Sequence, residues 1–319
     1  MCFKKYISFC LIYHFSTICA TKLEMNIMRS TVPPKISKDK TMFDLENIEE
    51  LSEYNNQAGG HIFSKKKPFL GFLKFKGKYV LKSPGIDAKG MNEINFYEDI
   101  HKSDLSCFKK LIPNYYGLIN LKINNIDTTF LVLDDITKDM IKPCVMDVKI
   151  GKQTWQPGCK DYKKEIEQNK CKKCKETYGI CIQGIHYYVV KNNVVSETPE
   201  KAHKDLGKSL EPNEVNGVLG KFLNIDTVKS SNVINSLLEQ LSSIIKYFNV
   251  QKHHHFFSSS IILSYDADTL TNDKSPIVKV SMVDFAHTIP AGEVIDENYL
   301  FGVKNLYALL EELNTKKAV

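Results

Sequence analysis

The chain has 319 residues, 43% of them hydrophobic and 25% charged, enough for one large or two modest domains. Forty-three basic against 37 acidic residues leave a formal charge of +6, too small and too diffuse for a nucleic-acid-binding protein but compatible with an anionic small substrate where lysines cluster. Nine cysteines, an odd number spread over a long chain, do not form the paired framework of a small secreted domain and point to a reducing compartment.

At the N-terminus, Lys4 and Lys5 precede an apolar run from Tyr6 to Ala20 with the outline of a signal peptide. His14 interrupts that run, Ile18 stands where a small residue is preferred, and the run is too short to span a bilayer. Two readings stay open, a signal peptide or an upstream extension with Met25 or Met28 as the start. Residues 1–41, with Pro33 and Pro34 among lysines, are expected to be a disordered or processed extension.

From Phe69 the pattern becomes strand-like. Phe69–Phe75 and Lys78–Lys82 flank Lys76-Gly77, which predicts a hairpin. Met91–Lys102 is polar with Ile94, Tyr97 and Ile100 at helical spacing, and Thr128–Leu133 is an apolar, β-branched run ending at Asp134-Asp135. Cys144–Ile150 reads as a strand, a lysine-rich segment over 160–175 as a helix, Gly179–Val190 as a strand and Asn192-Asn193 as a turn. Val233–Phe248 is an amphipathic helix, Phe256–Tyr265 and Ile277–Phe285 are buried strands, and Tyr299, Val303, Leu306, Leu310 and Leu313 mark a closing helix. No internal repeat is present. Strands followed by a mixed region predict an α+β, two-lobed chain with a cleft between the lobes.

Three elements carry chemistry. In Pro143–Gly151, strand alternation puts Asp147 and Lys149 on one face and Met146 and Val148 on the other. A carboxylate that accepts the proton of an attacking hydroxyl, beside an ammonium that neutralises a moving phosphoryl group, suits phosphoryl transfer. By spacing alone, a surface ion pair is the more common reading. Second, Ser281–His287 is an apolar strand ending in Asp284-Phe285-Ala286, where a metal-holding Asp of a kinase would stand, though a turn Asp is the ordinary reading. Third, Lys82 ends a strand and Glu93 lies on the next helix, the arrangement of a phosphate-gripping lysine oriented by a glutamate. All three occur in the order expected of a kinase-like cleft.

In these residues the sequence resembles the inositol polyphosphate kinase family, most closely its multikinase branch. Pro143–Gly151 is similar to the family's motif of proline, three residues, aspartate, one residue, lysine, one residue, glycine. Ser259-Ser260-Ile261-Ile262 and Ser281–His287 are similar to two further family segments, and Gln57–His61, Ile112–Gly117 and Gly207–Leu210 are weaker echoes. The resemblance covers about residues 55–315.

It implies a kinase-like fold with an antiparallel N-lobe sheet over residues 42–135, binding ATP, and a larger C-lobe over 136–319 with a basic, inositol-phosphate-binding helical insertion at about 157–178. By the same resemblance, Lys82 would hold the ATP phosphates with Glu93 as its partner, and Asp134 and Ile136 would bind adenine through the hinge backbone. Asp147 would lie near the ribose and the acceptor hydroxyl, and Lys149 beside the transferred phosphate. Asp284 would bind Mg²⁺ with Ser260 supporting the metal side. His287 would contact the inositol phosphate, as would Lys160, Lys163, Lys164 and Lys170.

An insertion near Cys171 leaves the register of Lys170 open, and His186 stands where relatives often carry arginine. A solvated helix face remains the alternative for the lysine run. Cys171-Lys-Lys-Cys174 lacks a second cysteine pair and does not argue for zinc. His253–His255 is read as a loop and Trp155 as packing.

The expected protein is thus a monomeric, ATP- and Mg²⁺-dependent kinase of the cytoplasm or nucleus, with an inositol polyphosphate as substrate, no nucleic-acid partner and no membrane insertion. An inositol hexakisphosphate kinase, a trisphosphate 3-kinase and a catalytically silent inositol-phosphate-binding scaffold are the rivals.

Overall fold

The computed structural model describes residues 50–64, 66, 67, 71–85, 87–123, 125–202 and 204–318. The expectations for the N-terminal extension, and for Phe69 and Leu70, lie outside the described residues.

The N-terminal half builds β1 (Leu51–Glu53), β2 (Phe72–Phe75), β3 (Tyr79–Lys82), α1 (Ala88–Lys102), α2 (Ser106–Lys109), β4 (Tyr115–Ile123) and β5 (Ile126–Asp134). The strands form one antiparallel sheet in the order β1-β2-β3-β5-β4. The β2–β3 hairpin forms as predicted, because Lys76 (φ 50°) and Gly77 (φ 64°) both take the left-handed conformation that a tight, right-twisting turn requires. Asp87 starts α1 by accepting hydrogen bonds from the backbone N–H groups of Lys89 and Gly90.

The second half builds β6 (Pro143–Ile150), α3 (Asp161–Asn169), α4 (Lys172–Tyr178), β7 (Ile180–Tyr187), β8 (Val190–Lys191), β9 (Val194–Val195) and β10 (Glu200–Ala202). It continues through α5 (Lys204–Ser209), α6 (Val215–Phe222), α7 (Ser230–Phe248), β11 (His254–Phe256), β12 (Ser260–Asp266), β13 (Val278–Val283), β14 (Thr288–Pro290) and α8 (Glu297–Ala318). Its main sheet is antiparallel in the order β10-β7-β6-β12-β13. Asn192 and Asn193, both left-handed, turn β8 into β9.

Period-two alternation decides how the two sheets share their cores. On β5, Phe130 and Val132 face a small cluster with Leu73, Phe75, Leu81 and Ile119, whereas Leu131 and Leu133 face the large core of the second half. From α1, Ile94, Phe96, Tyr97 and Ile100 enter the large core too, with the Phe96 ring stacked on Phe285 at 4.3 Å. The sequence division at residue 135 therefore separates the sheets but not the cores. On the far side, α7 buries Val233, Ile234, Leu237, Leu241, Ile244 and Phe248, and Phe248 stacks on Tyr299 of α8 at 4.5 Å.

Three expected elements are interrupted, each at a left-handed residue. The lysine-rich helix breaks at Cys171 (φ 53°) into α3 and α4. The run from Phe256 to Tyr265 bends at Ser258 (φ 57°), leaving β11 and β12 separate, and β13 stops at Val283 because Asp284 follows at φ 65°. The histidine run is not a loop. His254 and His255 lie in β11, paired with β14, and the His254 ring meets Phe96 edge-on at 5.6 Å.

The cysteine count points to a reducing compartment, yet one pair among the described residues is joined. The corner at Cys171 brings its Cα to 5.7 Å from that of Cys181 on β7, and the two are joined as a disulfide. Cys174 is buried as a thiol donating to the carbonyl oxygen of Leu210.

Candidate active site

Lys82 ends β3 and Glu93 lies in the second turn of α1, so sheet and helix bring opposite charges together. Lys82 Nζ is 2.6 Å from Glu93 Oε1 and 2.5 Å from Asp284 Oδ1. Glu93 also accepts a hydrogen bond from the backbone N–H of Phe285, fastening α1 to the residue after Asp284. Removal from water works against the charge of Lys82, but Asp284 and Glu93 outweigh it and raise its pKa. The same ammonium, with Lys149 and His287, outweighs desolvation at Asp284 and holds that carboxyl below its usual range.

These groups border a cavity of about 290 Å³. Val80, Leu133, Val145, Ile262 and Val283 give it an apolar floor and wall, Asp134 and Ile136 an edge, and Lys82, Asp147 and Asp284 its charged end. Gln57, Gly59, Gly60 and His61 cover it. Gly59 lies so close over Asp147 that a Cβ there would fall 2.1 Å from Asp147 Oδ2. The Gln57 side-chain amide donates to the carbonyl oxygens of Gly59 and His61 and holds this covering loop in shape.

The hinge is pinned by Asp135, which is fully buried. Its Oδ1 accepts from the Tyr54 hydroxyl at 3.1 Å and from the backbone N–H and hydroxyl of Thr137 at 2.8 and 2.7 Å, while Lys74 Nζ stands 3.2 Å from Oδ2. Nothing in the sequence marks Asp135 apart from Asp134, since only folding puts Tyr54 and Lys74 beside it. The Asp134 backbone N–H is committed to the Asn114 carbonyl oxygen, which leaves it unavailable to a base while that bond holds.

Asp147 and Lys149 share a face of β6, as alternation requires, while Met146 and Val148 enter the large core. Asp147 is 6% exposed, pairs in register with Gly184 and Ile262, and has Oδ1 buried with no hydrogen-bond partner. Burial, then the charge of Asp284, pushes its pKa up to about 6, against the pull of the Ser260 hydroxyl, Lys149 and Lys82. Ser260 sits beside Asp147 at 1% exposure and does not line the cavity, so it backs the carboxylate rather than facing a ligand.

Two neighbouring carboxylates, Asp284 adding to the cost of ionising Asp147 and Asp147 carrying an orphaned buried oxygen, offer hard oxygen ligands at the end of a cavity. They fit a divalent cation.

Beyond Asp147 lies a second group of polar side chains. Lys149 Nζ donates to Ser258 Oγ at 2.7 Å, which explains the bend at Ser258. Lys170 Nζ donates to Gln183 Oε1 at 3.0 Å, and Lys175 donates to the carbonyl oxygen of Glu167. Glu167 Oε2 accepts from Thr154 Oγ1 at 3.0 Å, and His287 Nδ1 stands 3.3 Å from Gln156 Oε1. Burial lowers the pKa of Lys175 to about 8, with Lys149 and Lys170 adding to the effect and Glu167 opposing it. Burial likewise lowers His287, helped by Lys89 and Lys149.

Lys82, Glu93, Asp134, Ile136, Asp147 and Asp284 therefore line one cavity, and Lys149, Lys170 and His287 gather beside it. Lys160, Lys163 and Lys164 are exposed at and on α3, where Lys163 and Lys164 share a helix face with Glu167. His186 does not join the lysines. It is 2% exposed, and Lys201, its neighbour across β10, donates to the carbonyl oxygen of Asn55. Burial and Lys201 push its pKa down to about 4.

After the motif, Gly151 (φ 106°) approaches Asn298 so closely that a Cβ would lie 2.5 Å from Nδ2. Asn298 then exchanges two 2.9 Å hydrogen bonds with the Gln153 backbone, setting the path toward Thr154 and Gln156. The sequence did not mark Thr154, Gln156, Glu167 and Gln183 as members of this group, because neutral and acidic side chains between lysines read as ordinary surface residues.

Comparison with known proteins adds to this geometry. A model of the inositol polyphosphate kinase family matches residues 130–311. Human inositol polyphosphate multikinase is 25% identical over 274 residues, covering 82% of this chain and 62% of the human protein, so the chain spans about three fifths of that relative. Inositol polyphosphate multikinase beta of Arabidopsis thaliana is 27% identical over 286 residues, covering 81% of this chain and 92% of the plant protein. The crystal structure of the inositol phosphate multikinase of S. cerevisiae in complex with ADP and Mn²⁺ superposes with a TM-score of 0.60 at 19% identity, over 74% of this chain and 98% of the yeast one. That likeness establishes the two-sheet, kinase-like fold.

Proposed function

The chain belongs to the inositol polyphosphate kinase family, and from that membership we propose that it transfers the γ-phosphoryl group of ATP to an inositol polyphosphate, in the manner of the multikinases. The observation that carries the reading is the convergence of Lys82, Asp147 and Asp284 on one cavity, with Lys149 and Lys170 beside it.

In this reading, the apolar part of the cavity takes the adenine against Val80, Leu133 and Val145, at the edge made by Asp134 and Ile136. Lys82, fixed by Glu93, holds the nucleotide phosphates. Asp284 and Asp147 would hold Mg²⁺, which would offset charge on the phosphates. Asp147, at the charged end of the cavity, also stands where it can orient the attacking hydroxyl. Lys149 neutralises the group in transfer, and Lys170 and His287, with Lys160, Lys163 and Lys164 at the rim, collect the acceptor's phosphates. Positioning and fixed charge supply the rate, as is general for phosphoryl transfer.

Incubation with labelled ATP, Mg²⁺ and a series of inositol phosphates tests this. A labelled product that disappears in Asp284→Asn is expected. Binding of inositol phosphate with no product under any condition would favour the silent scaffold instead.

A further inference from the structure

The basic group beside the cavity contains one acid that a phosphate-collecting surface does not need. Glu167 projects from α3, half-buried, toward Lys149, Lys170 and Lys175, and its charge reaches His287. Its carboxylate has one hydrogen-bonded anchor, and its backbone another. Oε2 accepts from the hydroxyl of Thr154, itself 2% exposed, and the backbone carbonyl oxygen of Glu167 accepts from the buried Lys175. Burial works against ionisation, but Lys149, Lys170, Thr154 and Lys175 outweigh it, so the group is an anion at neutral pH.

An anchored carboxylate does two things to a polyphosphate. It repels a phosphate placed against it, since like charges brought together out of water oppose binding. It also accepts a hydrogen bond from a neutral hydroxyl, because an ionised carboxyl has about four acceptor sites and Thr154 uses one. A site meant to hold phosphates at every ring position gains nothing from such a group. A site meant to hold a partly phosphorylated ring gains a way to recognise an unmodified hydroxyl.

We propose that Glu167 is a specificity-determining residue that reads an unphosphorylated hydroxyl of the inositol ring and rejects a phosphate at that position, so that acceptors with few phosphates are preferred over the fully phosphorylated ring. The inference rests on the kinase reading above. It extends that reading by naming the residue that sets an upper limit on acceptor charge.

The test compares wild type with Glu167→Gln, which keeps shape and hydrogen bonding to Thr154 but removes the charge. Turnover of an inositol trisphosphate is measured with labelled ATP, alone and with inositol hexakisphosphate as competitor. The variant is expected to be inhibited by hexakisphosphate at a concentration at least about tenfold lower than wild type requires, tenfold corresponding to about 1.4 kcal/mol. The KM for ATP should stay within about twofold, which a general loosening of the site would not allow. Glu167→Ala serves as the second variant should the Gln form fold poorly, and the same shift is expected.

If wild type turns over trisphosphate and neither variant changes the hexakisphosphate-to-trisphosphate ratio, Glu167 has no role in selection. Failure of both variants to fold would make it a structural counter-ion and overturn the assignment. If wild type phosphorylates no inositol phosphate at all, the kinase reading falls first and this one with it.

Discussion

Lys82 Nζ and Asp284 Oδ1 lie 2.5 Å apart although 202 residues separate them in the chain. The contact joins the end of β3 to the end of β13, and Asp284 reaches it by leaving the strand in a left-handed conformation (φ 65°). A non-glycine residue held there costs of order 1–3 kcal/mol, which the surrounding structure must offset. The Lys82 side chain is 14% exposed and that of Asp284 43%, so the pair opens onto the cavity while Glu93, at 3%, closes it from behind.

Replacing Lys82 with Ala, or Asp284 with Asn, is expected to lower kcat by at least about a hundredfold, the scale of losing one preorganised electrostatic partner. Lys82→Ala also leaves Glu93 buried without its cation, which costs about 3–5 kcal/mol. Asp284→Asn lacks that penalty. A lower Tm for the first variant but not the second, measured by calorimetry alongside turnover, separates the two effects.

Asp147→Asn and Lys149→Ala should each abolish turnover with the fold intact. Asp147 has burial and Asp284 raising the cost of its charge, so a neutral amide of the same shape is expected to leave Tm unchanged or higher. Circular dichroism and melting check the fold while the labelled-ATP assay checks activity. Full activity in either variant would remove that residue from the mechanism.

Gly59→Ala places a methyl group 2.1 Å from Asp147 Oδ2, so either the covering loop or the carboxylate must move. A rise of at least tenfold in the KM for ATP, or an equal fall in kcat, is expected on the order-of-magnitude rule that a 1 Å misplacement costs up to about a hundredfold. The loop is exposed at His61 and its neighbours, so Tm should change little.

Lys175 supplies a pH dependence. Its folded pKa, lowered from 10.5 to about 8, lies below that of the unfolded chain. The unfolded state thus binds more protons between about pH 8 and 10.5, and this group adds stability as pH rises through that window. Function moves the other way, because deprotonation above about pH 8 removes a positive charge beside the acceptor site. A fall in kcat/KM for the acceptor above pH 8 is expected in wild type and should vanish in Lys175→Met, whose basal activity is lower.

Phe96→Ala should cost about 3–5 kcal/mol. The ring is 6% exposed, stacks on Phe285 and meets Tyr97, Phe108, His254 and Phe256 edge-on. Chemical denaturation measures this directly. Because Phe285 follows Asp284, activity should fall before global unfolding does.

Much of this was legible before folding. Strand alternation around Asp147 and the turn at Lys76-Gly77 depend on local rules, and both hold. The apolar stripe of α7 was equally clear because its buried residues recur at helical spacing. β4 was invisible, since as an edge strand it buries only Ile119 and so lacks a clean alternation. The breaks at Cys171, Ser258 and Asp284 escaped notice because none is a glycine or proline, and each left-handed turn is held by contacts that exist only once the sheets assemble. The partners of Asp135 and Glu167 were hidden for the same reason, since only folding brings Tyr54 and Lys74 to Asp135 and sets Glu167 against Thr154 and Lys175.

The sharing of β5 between two packed interiors bears on how a ligand enters. A strand whose odd and even side chains are gripped from opposite sides cannot tilt without loosening both, so the rear wall of the crevice behaves as masonry. The segment over Asp147 is shaped by a few hydrogen bonds from Gln57 and has glycines where side chains would otherwise lock it. Under the proposed function, admission of nucleotide is expected to displace residues 57–61 from above Asp147, a segment that Ala58, buried against Gly184, ties to β7 at one point.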